Sequence, residues 1–357
     1  MVTARIIETT RGLSKADYKG KPTTLCPGCG HNTIFQRIIE VAYEQALDPA
    51  YVIKMSGIGC SSKSAAYFME RSHGFNGLHG RMPSAVSGAV LANHKLTAIG
   101  LSGDGDSGSI GLGQFKHLVR RNVPMVYIIE NNGVYGLTKG QFSATADKEQ
   151  FSKYAGGTNN LQPVDLCIEA LAADATFVAR SFAGKPQQVT ELLKAALHHR
   201  GTAVLDIISP CVAFGETPMS TKTYEYGREN FEQFRLHDIS FIPARDSFIP
   251  EREEIILSEN GEEDCEDGCD EVMMHDGTWI RLRELHEDYD PFDKYAAIHT
   301  LMQARDRQEF ITGLIYVDED SQNFYEQHNM VETPLAHLNA AQMRPSREAL
   351  EQVMASL

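Results

Sequence analysis

Thr97-Ala98-Ile99-Gly100-Leu101-Ser102-Gly103-Asp104-Gly105, continued by Asp106-Ser107-Gly108, is one of two stretches that decide the fold; the other is Met125-Val126-Tyr127-Ile128-Ile129-Glu130-Asn131-Asn132-Gly133-Val134. Each is a β-strand by composition, a near-continuous apolar run ending in small or oxygen-bearing residues. Neighbouring parallel strands would bring the two ends together at the carboxyl edge of a sheet, where open α/β folds bind ligands. Asp104 and Asn132 then offer two hard oxygen ligands, and the carbonyl of Val134 offers a third. Mg²⁺ takes few protein ligands and completes its octahedron with water and ligand phosphates. The pattern suits a diphosphate–Mg²⁺ unit.

Alone, Gly-Asp-Gly marks any tight strand-to-helix turn. Paired with an asparagine that also ends a strand, it resembles the diphosphate-binding domain of thiamine diphosphate enzymes. Outward from these stretches, apolar strands alternate with helical segments from His31 to Ser209. Ile34, Phe35, Ile38, Ile39 and Val41 give His31–Gln45 one apolar face, and Ser107–Arg121 carries Ile110, Phe115, Leu118 and Val119. The expected fold is a doubly wound α/β domain with a mainly parallel sheet of the thiamine diphosphate-binding type and an irregular C-terminal extension. The expected division is an arm over 1–22, a cofactor-binding domain over 23–218 and an extension over 219–357. Within the extension, about 235–293 reads as an acidic, irregular insertion centred on Glu262-Glu263-Asp264-Cys265-Glu266-Asp267. Thr312–Asp318 is strand-like, and Ser346 caps a helix running to Leu357.

Seven cysteines form a second constellation. Neither an apolar signal segment nor a membrane-length run is visible, so the expectation is a reducing cytoplasm, where paired cysteines serve metal or redox chemistry. Cys26 and Cys29 lie in Leu25-Cys26-Pro27-Gly28-Cys29-Gly30-His31. Cys60 follows the strand-like Tyr51–Met55 in Gly57-Ile58-Gly59-Cys60-Ser61-Ser62-Lys63, and Cys211 follows Ala203–Ile208 in Ser209-Pro210-Cys211. Four thiolates gathered at one sheet edge hold Zn²⁺ or a [4Fe–4S] cluster, and spacing alone favours the commoner structural zinc. Cys167 reads as core, and Cys265 and Cys269 as part of a solvated acidic loop in preference to a second weak metal site.

In order along the chain, Cys-Pro-Gly-Cys-Gly-His, Gly-Ile-Gly-Cys-Ser-Ser-Lys, Leu-His-Gly-Arg, Gly-Asp-Gly-Asp, Asn-Asn-Gly-Val-Tyr-Gly-Leu-Thr-Lys-Gly and Ser-Pro-Cys, spanning about Thr23 to Pro218, resemble the β subunit of the 2-oxoacid:ferredoxin oxidoreductases, and within them the 2-oxoglutarate branch. The resemblance implies one [4Fe–4S] cluster on Cys26, Cys29, Cys60 and Cys211, and Mg²⁺ on Asp104, Asn132 and Val134. It also implies a thiamine diphosphate site drawn from Gly103, Asp104, Gly105, Asp106, Ser107, Asn132, Val134, Gly136, Leu137, Ser61, Ser62 and His79. The implied reaction takes 2-oxoglutarate, coenzyme A and oxidised ferredoxin reversibly to succinyl-CoA, CO₂ and reduced ferredoxin. In it the cluster oxidises a thiamine enamine.

Among candidate catalytic residues, Lys63 would face the distal carboxylate of 2-oxoglutarate or is a surface lysine. His79 and Arg81 are candidates for the α-carboxylate or the cofactor phosphates, and Leu137 lies near the thiazolium in the resemblance. Ser107 suits a helix cap or a phosphate contact. The Thr221–Tyr226 stretch resembles the family's extension over cofactor and partner subunit. A thiamine site needs a second domain carrying an activating Glu, which this chain lacks, so an α subunit is expected, in an (αβ)₂ heterotetramer.

The net charge of −15 argues against nucleic acid or an anionic membrane as partner. An acidic ferredoxin then needs a local basic patch, for which Lys116, His117, Arg120 and Arg121 are one candidate. The competing readings are pyruvate or another 2-oxoacid as substrate, a non-redox thiamine decarboxylase with structural zinc, and a cluster-bearing electron-transfer subunit without thiamine.

Overall fold

A computed structural model describes residues 7–244, 269–284 and 289–357. The strands in chain order begin with β1 (Val52–Ser56), β2 (His73–Asn76), β3 (Thr97–Gly103) and β4 (Met125–Asn131). Two short ladders follow, β5 (Val134–Tyr135) with β6 (Gln141–Phe142) and β7 (Phe151–Ser152) with β8 (Gly157–Thr158). Next come β9 (Phe177–Phe182), β10 (Thr202–Ile208), β11 (His237–Ile242), β12 (Cys269–Met273), β13 (Trp279–Glu284) and β14 (Gly313–Val317). Seven of them form one sheet in the order β14-β9-β10-β4-β3-β1-β2, parallel throughout except for β14 at its edge.

Helices cover both faces because the central strands are apolar on both. Ile99, Leu101, Val126 and Ile128 point to the face covered by α1 (Gly30–Glu44). Ala98, Met125, Tyr127 and Ile129 point to the other, covered by α3 (Met82–Ala92) and α4 (Leu112–Arg120). The alternation is the period-two pleat of a strand. Full burial of one such Leu or Ile contributes about 2 kcal/mol.

From β1 the chain crosses first to β2 on one side and then to β3 on the other. The gap between the carboxyl ends of β1 and β3 is therefore the topological switch point of the sheet. Gly103-Asp104-Gly105 and the loop after Ser56 both sit there.

Three elements depart from the sequence expectations. The Asp106–Ile110 segment is a wide π-helical turn, and regular α4 starts only at Leu112, where a helix from Ser107 was expected. The described ends of the acidic stretch are not irregular: β11, β12 and β13 form an antiparallel sheet in the order β11-β13-β12. Val272, Met274, Ile280 and Leu282 bury the inner face of that sheet against the main core, so alternation, not acidity, decided its structure. Finally, Gly313–Val317 completes the main sheet as its antiparallel edge, so that sheet draws on both sides of residue 218. Cys269, expected in a solvated loop, opens β12 opposite Arg283; the remainder of the acidic stretch, with Cys265, lies outside the described residues.

Ser346 does cap the final helix, Arg347–Ala355, accepting from Ala349 N–H at 3.1 Å. Cys167 is fully buried in the helix Leu166–Leu171. The arm is strapped down: the Tyr18 hydroxyl donates to Leu47 O at 3.0 Å, and Lys19 bridges to Phe68. Among the described residues no helix is long and apolar enough to cross a membrane.

Candidate functional site

The Gly-Asp-Gly turn ends β3, and the paired asparagines end β4 and begin the loop after it, so adjacent parallel strands deliver both to the same edge. Asp104 is buried, and its Oδ2 accepts from the Ser143 hydroxyl and from Thr145 Oγ1 at 2.6 Å. Asn132 N–H approaches its Oδ1 at 3.4 Å. Burial pushes the Asp104 carboxyl up, while those hydrogen bonds and the Lys222 charge pull it back. Asn132 Oδ1 accepts from Val134 N–H at 3.0 Å, which folds the chain so that Val134 also faces the turn.

Behind these residues runs a buried polar chain. The Thr145 hydroxyl lies 2.8 Å from Asn131 Oδ1, and Asn131 Nδ2 donates to Asp206 Oδ1 at 2.9 Å. Arg180 then donates to Asp206 at 2.8 Å and to Asp165 at 2.6 Å. The chain holds the ends of β4, β9 and β10 in one geometry.

A cavity of about 270 Å³ opens over this edge. Asp104 and Asn132 are in its lining, and so are the apolar Ile58, Ile110 and Leu137. Ile110 and Leu137 are 59 % and 50 % exposed, so an apolar wall here faces outward. Glycine is required at the turn, since a Cβ on Gly105 would meet the Tyr135 ring at 2.3 Å. A lining that combines polar oxygens with apolar side chains fits a diphosphate carrying a heterocycle.

A second cavity, of about 260 Å³, is lined by Cys26, Cys29, Cys60 and Cys211, with Lys63 and Lys139 beside them. All four cysteines are free; Cys26 is exposed and Cys29 buried. Burial first, then the neighbouring Glu130, Cys211 and Cys60, pushes the Cys29 thiol up to about 12. A thiol raised like that of Cys29 becomes thiolate when a cationic centre takes its charge, and four soft sulfur donors fit such a centre. Among the described residues no group of three or more His, Cys, Asp or Glu converges on a single-ion geometry. Beside Gly136, a Cβ would lie 3.6 Å from both Cys60 Sγ and Cys211 Sγ.

The two cavities share a wall made by His31, Cys60, Asn132, Gly136 and Leu137.

The sequence candidates divide as follows. Gly103, Asp104, Gly105, Asp106, Asn132, Val134, Gly136, Leu137, Ser61 and His79 line the first cavity. Lys63 lines the second and not the first. Ser62, Arg81 and Ser107 line neither. Ser62 donates to Gly59 O at 2.8 Å and Arg81 to Gly80 O at 3.2 Å. The Ser107 hydroxyl is committed inside the core, 2.9 Å from both Ser102 Oγ and Tyr127 OH. Asp106 has a structural partner too: it accepts from Gly80 N–H at 2.7 Å and from the Ser102 hydroxyl at 2.9 Å, pinning the His79–Arg81 loop over the switch point.

Two buried residues of the site carried no assignment from the sequence. Glu130 receives the Ser64 hydroxyl at 2.9 Å, and burial pushes its carboxyl well above the usual range. Burial drives His31 down to about 4, with its Nδ1 2.6 Å from Ser209 Oγ. The two are 3.9 Å apart, and burial favours the neutral form of each. An acidic residue inside an apolar strand was the available signal for Glu130.

The switch-point cavity and its ligand-bearing turns define a thiamine diphosphate-binding α/β domain. In agreement, the family model described as the thiamine pyrophosphate enzyme C-terminal TPP-binding domain matches residues 57–207, and that of the C-terminal region of the pyruvate ferredoxin oxidoreductase β chain matches 279–333. Among curated relatives, the 2-oxoacid:ferredoxin oxidoreductase subunit β of Sulfolobus is 36 % identical over 230 residues, covering 64 % of this chain and 72 % of the relative. The 2-oxoglutarate oxidoreductase subunit KorB of Mycobacterium tuberculosis is 33 % identical over 251 residues, 70 % of this chain and 66 % of that one. A solved 2-oxoglutarate:ferredoxin oxidoreductase from Magnetococcus marinus, with 2-oxoglutarate, coenzyme A and succinyl-CoA bound, has a chain that superposes with TM-score 0.70 at 27 % identity, over 99 % of both chains. This chain belongs to the β subunits of the 2-oxoacid:ferredoxin oxidoreductases. As a β subunit it has an α subunit as its partner.

Proposed function

We propose that the chain is the cofactor-bearing β subunit of a cytoplasmic 2-oxoglutarate:ferredoxin oxidoreductase, which forms succinyl-CoA, CO₂ and reduced ferredoxin from 2-oxoglutarate, coenzyme A and oxidised ferredoxin, reversibly, as an (αβ)₂ assembly. The observation that carries the reading is the shared wall: a cavity suited to thiamine diphosphate and one suited to a tetrathiolate centre are separated only by five residues. The similarity to KorB proteins and to the Magnetococcus enzyme supports 2-oxoglutarate among the possible 2-oxoacids.

When bound, thiamine diphosphate supplies the carbanion for decarboxylation of the 2-oxoacid, and a [4Fe–4S] cluster supplies a one-electron acceptor. The residues of this chain do the rest. Asp104, Asn132 and the Val134 carbonyl would hold Mg²⁺ and through it the diphosphate. Thr145 and Ser143 fix the Asp104 carboxylate from behind. Leu137, Ile58 and Ile110 would give the heterocycle an apolar surface to pack against. Cys26, Cys29, Cys60 and Cys211 would ligate the cluster, with Gly136 lying beside the sulfurs of Cys60 and Cys211.

Pyruvate is the alternative substrate, and one observation favours keeping it: Lys63 lines the cysteine cavity rather than the first cavity. The test is steady-state reduction of methyl viologen by the reconstituted αβ enzyme with coenzyme A. A kcat/KM for 2-oxoglutarate at least about tenfold above that for pyruvate supports the reading, since one lost ion pair with a charged group is worth that much. Equal values, or a preference for pyruvate, overturn the substrate assignment.

A further inference from the structure

The basic patch on α4 lies at the wrong end of the molecule for electron delivery. Lys116 is already paired with Glu169 at 2.8 Å. Arg120 and Arg121 lie where α4 ends and the chain turns into the start of β4. The cysteines lie at the other edge, and seven residues of β4 at ~3.3 Å each separate the two by about 20 Å.

The rim of the cysteine cavity is different. Cys26 is exposed there, whereas Cys29 is buried, so the cavity reaches the surface at Cys26. From Lys19 to Glu40 the chain carries Lys19, Lys21 and Arg37, and Arg37 is paired with Glu40, so Lys19 and Lys21 are the cations this arm brings to the rim, in a protein of net charge −15. This arm is fixed against the Cys60 turn: Lys21 N–H donates to Ala66 O at 2.9 Å, and Thr24 N–H to Tyr67 OH at 3.0 Å. On the other flank, Phe214 lines the cavity and stacks edge-on against Tyr154 at 4.9 Å, over which Lys153 Nζ lies at 5.0 Å. Val212, in the cavity lining, and Tyr154 add exposed apolar surface at this rim. A small apolar centre with lysines on two flanks, in an otherwise acidic molecule, complements an acidic partner.

We propose that this rim, from Lys19–Cys26 across to Phe214 and Tyr154, is where an acidic one-electron carrier protein docks, with Lys21 and Lys153 its charged contacts. The inference rests on the functional reading above, because only a cluster behind Cys26 gives a carrier something to collect. It places the carrier against the most exposed of the four cysteines and leaves the first cavity free for substrate.

The test measures direct binding of an acidic ferredoxin to the assembled αβ enzyme at low and high ionic strength, for wild type and for the double variant Lys21→Glu, Lys153→Glu. The dissociation constant should rise about tenfold or more at ~50 mM salt, and the two proteins should converge near ~0.5 M, where screening removes the difference. Methyl viologen reduction should be unchanged, which separates docking from cofactor loss. An unchanged dissociation constant overturns the proposal, as does an effect confined to the control Arg120→Glu, Arg121→Glu. If the wild-type enzyme reduces neither ferredoxin nor viologen with any 2-oxoacid, the functional reading fails, and this surface with it.

Discussion

Asp104 is a carboxylate that folding makes expensive to keep charged and then surrounds with donors. Removing one donor should show how much that support matters. Thr145→Val keeps the shape but deletes the hydroxyl 2.6 Å from Asp104 Oδ2. Loss of a hydrogen bond behind a metal ligand typically costs 10–100-fold in metal affinity, so the Mg²⁺ concentration for half-maximal thiamine diphosphate binding should rise by about that factor, with the melting temperature of the cofactor-free protein little changed. An unchanged Mg²⁺ requirement would remove Asp104 from the ligand set. Asp104→Ala should abolish stable thiamine diphosphate binding by equilibrium dialysis. Much of the site at this scale was legible in the sequence: Asp104, Asn132 and the four cysteines all meet around two adjoining cavities. Ser107 and Arg81 were not, because a hydroxyl or guanidinium near a glycine turn reads the same whether it faces a ligand or its own backbone.

The elements show why local pattern sufficed for some segments and failed for others. β3, β4 and the helix over Gly30–Glu44 follow from their apolar periodicity. Arg180 and Asp206 are charged residues inside strands whose partners local pattern does not name, and they pair across β9 and β10. Removing one partner leaves the other charge buried, so Arg180→Met should destabilise the chain by about 3–5 kcal/mol in urea unfolding. A loss under 1 kcal/mol would mean that the chain of polar contacts behind Asn131 relaxes freely. β11 to β13 were hidden by acidic composition, although their apolar alternation is intact. The β12–β13 turn reaches α6 (Pro186–His198) through Asp276 and His198. Burial alone would raise the Asp276 carboxyl, but hydrogen bonds from His198 and Thr278 carry it down to about 2, against 3.8 unfolded. A depressed folded value means stability that is present above pH ~4 and lost as pH falls toward 2, worth about 2 kcal/mol. Asp276→Asn should therefore be less stable at pH 7, with the gap to wild type closing below pH 4; a gap that persists at pH 2 would contradict the pairing.

For the whole molecule, the switch point between β1 and β3 organises everything else. One sheet edge receives the β1, β3, β4 and β10 loops and thus both cavities, and β14 returns from the C-terminal region to close the opposite flank. That long-range return was invisible from local pattern, since an edge strand of five residues names no neighbour. The exposed apolar wall at Ile110 and Leu137 faces away from the protein's own core, as expected of a half-site awaiting its other half. The β chain alone should consequently bind cofactor weakly and show no 2-oxoacid-dependent dye reduction, and adding the α subunit should restore both. Activity of the lone β chain would contradict a shared site. The central claim is that the four cysteines hold a [4Fe–4S] cluster one wall away from thiamine diphosphate. It is tested most directly by iron, acid-labile sulfide and zinc content of the anaerobically purified chain, with an EPR spectrum after reduction. The account predicts about four iron and four sulfide per chain with a reduced-cluster signal; stoichiometric zinc without sulfide would contradict it and leave a non-redox thiamine decarboxylase.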